Sequence, residues 1–335
     1  MGQSLNVAAG KLGFFLFVCS AAYAQVVGNV AVFANGTQVH ATQPGAVVVA
    51  GSGFEPSIWV SYTNGASDTG GSSTVVRYND DGRPIQQYSI PGSVDALEEE
   101  PGNGVIWALQ NSSGSPLLTN IDPRLGITRH SPLPYAVESP SRGYRDVAFY
   151  KNQAFLSYTN PATLSDPTVQ SIAEPANPLP VGNVLLEDAA GLNIATGATG
   201  QLTSQNDPGS LRMAPGLELM LVSRSDGQLI FLQNANTSQQ CVSFLNVLDP
   251  AGAQVSGVSD ALFPKPGQSL FFLTNSTKNV VLLVYIYNIP PQQLFALVDS
   301  MSALVMIDQK TGIATPVLGN LQGFERMSAL QIPGE

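Results

Sequence analysis

The feature that most constrains this chain is a degenerate repeat of short strands and tight turns. One unit runs from Thr74-Val75-Val76-Arg77-Tyr78 through Asn79-Asp80-Asp81-Gly82 to Arg83-Pro84-Ile85-Gln86-Gln87-Tyr88. An Asn/Asp-Gly turn between alternating apolar runs is the strongest local signal of a β-hairpin. Val94-Asp95-Ala96-Leu97, the turn Pro101-Gly102-Asn103-Gly104 and Val105-Ile106-Trp107-Ala108-Leu109 follow, which completes a meander of four strands. Further hairpins are expected at Asn29–Phe33 with Asn35-Gly36, at Leu118–Ile121 with Asp122, Pro123 and Gly126, and weakly within 168–187. Two more are expected from Leu229–Phe231 through Asn234 to Cys241–Leu245, and at Leu304–Ile307 with Asp308 and Gly312.

The second halves of the units recur too. Trp59-Val60-Ser61-Tyr62-Thr63-Asn64 matches Phe155-Leu156-Ser157-Tyr158-Thr159-Asn160, and Leu270-Phe271-Phe272-Leu273-Thr274-Asn275 resembles both. Asp95 and Asp146 are about 50 residues apart, as are Asp207 and Asp260, near the ~40–50 residues of a propeller blade. The chain thus reads as all-β, a closed β-propeller of six four-stranded antiparallel blades, with five or seven as alternatives. A β-sandwich is the competing fold. It does not predict that the strand-like end Met327-Ser328-Ala329-Leu330 complements the first hairpin, closing a blade and hiding its open edges. The Gly- and Pro-rich stretch from Pro161 to Pro208 is expected to hold a long loop.

Composition agrees with short strands and turns. Only 11% of residues are charged, against about 25% in an ordinary domain. The net charge of −10 and the absence of a basic run exclude nucleic acid and anionic lipid as partners. A small molecule, a protein or a glycan remains open. The two histidines, His40 and His130, are too far apart for a metal-binding pair on one helix. The most apolar stretch, Val280 to Tyr287, stops at Asn288-Ile289-Pro290-Pro291, short of the ~20 residues of a membrane-spanning helix. It reads as a buried strand.

Residues 1–24 read as a secretory signal: Lys11, the apolar run Leu12–Val18, then Ala22-Tyr23-Ala24 as the small-x-small cleavage pattern. Residues 25–335 then form one propeller domain, secreted or periplasmic. Without Cys19, Cys241 is the only cysteine, read as a buried, inert thiol on a strand. Four sequons, at Asn35, Asn111, Asn236 and Asn275, matter only in a eukaryotic secretory route.

In a propeller the starts of the inner strands and the ends of the second strands share one face. Asp95, Asp146, Asp207 and Asp260 stand at the expected starts, with Val48 and Ser328 in the first and last units. Asn64, Asn111, Asn160 and Asn275 stand at the ends. Such carboxylate and amide oxygens suit one divalent cation, particularly Ca²⁺, which could polarise an ester or lactone carbonyl. The competing account is structural: Asp and Asn bond backbone N–H groups at strand ends, and an Asp before an inner strand can fasten one blade to the next. Glu98-Glu99-Glu100 reads as a solvated turn, and Trp59 and Trp107 as blade core.

Ser259-Asp260-Ala261-Leu262 with Pro266-Gly267-Gln268-Ser269-Leu270-Phe271-Phe272 resembles a blade of the gluconolactonase/NHL-type six-bladed propellers. Pro208-Gly209-Ser210-Leu211-Arg212 with Pro215-Gly216-Leu217-Glu218-Leu219 resembles a second. Gly53-Phe54-Glu55-Pro56-Ser57-Ile58-Trp59 is similar to the N-terminal Glu-Gly-Pro-x-Trp element of the gluconolactonases, without the Gly. The resemblance implies a divalent cation held at the channel mouth by Glu, Asn and Asp, and lactone or ester hydrolysis. A non-catalytic scaffold or interaction propeller is the other class that this chain fits.

Overall fold

A computed structural model of the chain describes residues 26–51, 56–67, 69–110, 115–133, 143–158, 166–172, 181–186, 189–203, 208–216 and 218–332. The expected signal peptide with Cys19, together with Glu55, Asn111, Asn160 and Asp207, lies outside the described residues.

Strand β1 (Val26–Asn35) comes first, and a short 3₁₀ turn separates it from three blades of consecutive strands. These are β2 (Pro44–Ala50), β3 (Ser57–Tyr62), β4 (Ser72–Tyr78) and β5 (Pro84–Pro91); β6 (Val94–Glu99), β7 (Ile106–Gln110), β8 (Leu117–Asp122) and β9 (Gly126–Pro132); and β10 (Tyr144–Tyr150), β11 (Gln153–Tyr158), β12 (Pro167–Ile172) and β13 (Val181–Leu186). A ribbon of β14 (Ala190–Asn193) and β15 (Thr199–Gln201) precedes the fourth blade, β16 (Pro208–Ala214), β17 (Glu218–Ser223), β18 (Gln228–Gln233) and β19 (Cys241–Asn246). The ribbon joins that blade through a parallel β14–β19 pairing, so the fourth sheet has six strands. The expected loop between Pro161 and Pro208 thus holds two strands of the third blade and this ribbon.

The last part of the chain is interleaved. It comprises β20 (Val258–Leu262), β21 (Gly267–Asn275), β22 (Val280–Ile289), β23 (Leu294–Val298), β24 (Ala303–Ile307), β25 (Ala314–Leu318) and β26 (Phe324–Ile332). β20 pairs with β23, not with β21, and the fifth blade is β20-β23-β24-β25. The β21–β22 hairpin crosses into the sixth blade, between β26 inside and β1 outside. The first and last strands therefore lie in one blade, as their sequences suggested, but two strands from 267–289 separate them. The expected N-terminal hairpin does not form. Asn35 Oδ1 accepts a hydrogen bond from Thr37 N at 3.0 Å, caps the 3₁₀ turn Gly36–Val39, and the chain enters the first blade.

Inner strands β2, β6, β10, β16, β20 and β26 touch in that order and close back onto β2. The result is a six-bladed β-propeller. Each blade turns one apolar face to each neighbour, because side chains alternate along a strand. Six apolar clusters follow, one at every junction between blades. Trp59 and Trp107 lie in these junctions, at 0% and 2% exposure, which places both in blade core. Cys241 is on a strand as expected but is exposed, being the first residue of the outermost antiparallel strand of its blade.

Candidate functional site

Register decides which residues face the channel. Inner strands carry a bulge near their start, with pairing shifts at Pro44/Val47, Val94/Ala96, Tyr144/Asp146, Pro208/Leu211 and Val258/Asp260. In the sixth blade the shift lies between the Asn275–Phe324 and Thr274–Arg326 pairs. Counting from these bulges, one position in the six blades is Ala46, Ala96, Asp146, Ser210, Asp260 and Arg326. Two residues on, along the same face, stand Val48, Glu98, Ala148, Arg212, Leu262 and Ser328. Asp146 and Asp260 are thus equivalent. Asp95 is not: it is the bulged residue just before that position, because a one-residue slip moves a side chain to another face. In the fourth blade the equivalent residue is Ser210.

The two equivalent aspartates make the same contacts. Asp146 Oδ1 accepts from its own strand at Val147 N (2.9 Å), and Oδ2 accepts from Leu211 N of the next blade (3.0 Å). Asp260 Oδ1 accepts from Ala261 N (2.9 Å), and Oδ2 from Met327 N of the next blade (2.9 Å). Each carboxylate therefore fastens its blade to the following one. Each also holds an arginine: Arg326 Nη1 lies 2.7 Å from Asp146 Oδ2, and Arg212 Nη2 lies 2.9 Å from Asp260 Oδ2. Arg326 belongs to the sixth blade and Asp146 to the third, so this pair spans the ring. The same guanidinium donates to Arg145 O at 3.2 Å. Asp146 and Asp260 are 1% and 0% exposed, which makes both ion pairs buried ones.

Glu98 completes the network. Its Oε2 lies 3.7 Å from Arg212 Nη1, and its side chain keeps 26% exposure. Burial pushes its carboxyl up to about 8; Arg212 opposes that shift, while Asp146, Glu99 and Asp260 reinforce it. For Arg212 burial works against the charge, but Asp260, Asp146 and Glu98 outweigh it and hold the guanidinium above the ordinary arginine value. The Glu98–Glu100 run is not a solvated turn. Glu98 and Glu99 end strand β6, Glu99 Oε2 accepts from Gly51 N at 2.9 Å, and Glu100 Oε2 accepts from Trp107 Nε1 at 3.0 Å. Sequence reasoning missed Glu98, Arg212 and Arg326. The available signal was the scarcity of cations, 14 Lys and Arg in all, with two placed inside apolar strands.

The other expected ligands among the described residues, Asn64 and Asn275, are committed to backbone N–H groups. Asn64 occupies an exposed turn at φ 55°, where Oδ1 accepts from Thr42 N (2.8 Å) and Nδ2 donates to Thr74 Oγ1 (2.9 Å). Asn275 is fully buried; its Oδ1 accepts from Lys278 N (2.7 Å) and its Nδ2 donates to Gln322 O (2.8 Å). Hydroxyls at the ends of second strands repeat the fastening seen for the aspartates. Ser157 Oγ donates to Gly209 O at 2.9 Å, and Thr274 Oγ1 to Gly45 O at 2.6 Å, each in the next blade. Among the described residues no group of three or more His, Cys, Asp and Glu side chains is placed to hold a metal ion. Among the described residues, Asp146 and Asp260 as they stand do not fit a divalent cation. Two carboxylates are taken by backbone N–H groups and guanidinium ions, and those guanidinium charges would repel it.

No protein-family model matches the chain, and no curated protein matches it. Solved structures do. A protein of unknown function from Bacteroides caccae superposes with a TM-score of 0.54 at 12% identity, covering 87% of this chain and 88% of that one. The periplasmic gluconolactonase of Pseudomonas aeruginosa gives 0.49 at 12% identity, covering 87% and 89%. Virginiamycin B lyase of Staphylococcus aureus gives 0.45 at 11%, covering 88% and 71%. At 12% identity, the superposition on the Bacteroides caccae protein shows a shared fold. Among the described residues no helix is long and apolar enough to cross a membrane.

Proposed function

We propose that this chain is an exported, non-catalytic binding propeller, a rigid disc whose channel is braced by ion pairs and whose loops contact a partner. One observation carries this reading: Asp146 and Asp260 are each committed to two backbone N–H groups and one arginine. A hydrolytic centre of the cation-dependent kind needs carboxylate oxygens turned toward one open point. Here they turn toward neighbouring blades. A channel crossed by the Arg326–Asp146 pair leaves recognition to the loop faces, where sequence varies most freely on a rigid frame.

Calorimetric titration with Ca²⁺, paired with melting curves in the presence of chelator, tests the proposal. It expects no saturable heat and an unchanged melting temperature, with no turnover of ester or lactone substrates. Cation binding that disappears in Asp146→Asn or Asp260→Asn, or chelator-sensitive hydrolysis, overturns it.

A further inference from the structure

A second feature lies away from the ion-pair network, between the fourth and fifth blades where inner strands β16 and β20 end. A cavity of about 140 Å³ opens there, lined by Phe231, Phe263, Pro215 and Ile194 with the side chains of Glu218, Gln292 and Gln309. It continues into a groove of about 380 Å³ along Met213, Phe263, Pro264, Pro266 and Pro291, past the exposed Lys265. Glu218 opens strand β17 and is half-buried. Among the described residues its carboxylate has no hydrogen-bond or ion-pair partner. Desolvation alone pushes that carboxyl up. A half-desolvated carboxylate is ordinarily paired, since burying a charge without a partner is costly. The cavity therefore has the complement of an organic cation: one acid, two aromatic rings and apolar walls.

We infer that this inter-blade cavity binds a small organic ammonium ion, its charge on Glu218 and its apolar body against Phe231 and Phe263. Three pieces of chemistry converge on that ligand. The acid supplies a charge-assisted hydrogen bond. Aromatic faces attract a cation that has left water. The volume also matches, because an apolar cavity of ~150 Å³ admits a benzene-sized molecule. The Gln292 and Gln309 amides add polar contacts at the wall without competing charge. Lys265 lines the outer groove and not the cavity, so an anion in the cavity would meet Glu218 with no cation in its lining.

Benzylammonium is the probe, with benzyl alcohol as its neutral counterpart, in calorimetric titration against the full chain. The expectation is saturable one-to-one binding of the cation, weaker by about tenfold or more for benzyl alcohol and in Glu218→Gln. Phe263→Ala should weaken both probes, because it removes apolar wall rather than charge. Melting curves establish that each variant is folded. Should Glu218→Gln not fold, the wild-type pH profile replaces it, with affinity falling as Glu218 takes up its proton. Absence of saturable binding overturns the inference. So does equal affinity for the two probes, or an affinity untouched by Glu218→Gln and by pH.

Discussion

At the scale of single residues, the channel network makes two claims that can be measured. Removing one partner of a buried ion pair leaves the other charge desolvated, which costs about 3–5 kcal/mol. Asp146→Asn should lower unfolding free energy by that order, because Arg326 at 7% exposure then lacks its carboxylate. Adding Arg326→Met should recover part of the loss, and urea unfolding of the double-mutant cycle gives the coupling directly. The second claim concerns Glu98. Its carboxyl titrates at about 8 in the fold, against 4.5 ordinarily. The folded state thus binds a proton that the unfolded chain has released, and this contribution is full below the lower value. Stability from this group is lost as pH rises from 4.5 toward 8, and Glu98→Gln should flatten that part of the melting-temperature profile. An unchanged slope would mean that Glu98 stays ionised in the channel. The sequence displayed these acids but not their register. Val94-Asp95-Ala96, Arg145-Asp146-Val147 and Ser259-Asp260-Ala261 read alike. Only the pairing, which sets Ala96 rather than Asp95 opposite Leu109, separates the bulged residue from the other two.

Among the elements, what was legible followed local turn chemistry. The hairpins β4–β5, β8–β9, β18–β19 and β24–β25 form where Asn, Asp and Gly signalled them. The matched segments lie on β3, β11 and β21, each the second strand of a blade, but the third is offset by two residues, with Thr274 rather than Phe272 at the position of Ser61 and Ser157. The crossover was not legible, because consecutive strands usually pair and nothing local tells β21 to skip β20. What drives it is long-range: Phe271 and Leu273 pack with Phe295, Leu297 and Met327 in the junction of the fifth and sixth blades. The outer edges of the fourth and fifth blades are joined by backbone as well, with Leu248 N donating to Gly312 O at 2.8 Å and Ala314 N to Leu248 O at 2.7 Å. Gly312 sits at φ +79°, and a Cβ there would fall 2.0 Å from Asn246 O. Gly312→Ala should therefore cost more than about 1 kcal/mol, through both backbone conformation and loss of this join. A melting curve indistinguishable from wild type would show that the join contributes little.

Over the whole molecule, interleaving makes ring closure depend on the last strand twice. β26 is the inner strand of the sixth blade, paired along its length with β21, and it lies against β20 and β2 on either side. It also supplies Met327 N to Asp260 and Arg326 to Asp146, so its loss removes the Asp260 fastening and the ion pair of Asp146 at once. A chain ending at Gly319 would keep β21, β22 and β1 but expose the inner edge of β21. Such an unpaired edge invites association with other chains. The ring would also lose the apolar contacts of Phe324 and Met327 at its final junction. The expectation is a broad, low-temperature melt with increased aggregation, while a chain ending at Ile332 melts like the full-length protein. Because the missing piece is one contiguous strand, a synthetic peptide of residues 320–332 should bind the truncated chain and restore a cooperative transition. The same peptide carrying Arg326→Met should restore less, since it closes the sheet without re-pairing Asp146. If the chain ending at Gly319 instead melts cooperatively near the full-length temperature, the ring does not need β26 for closure, and the brace across the channel is dispensable.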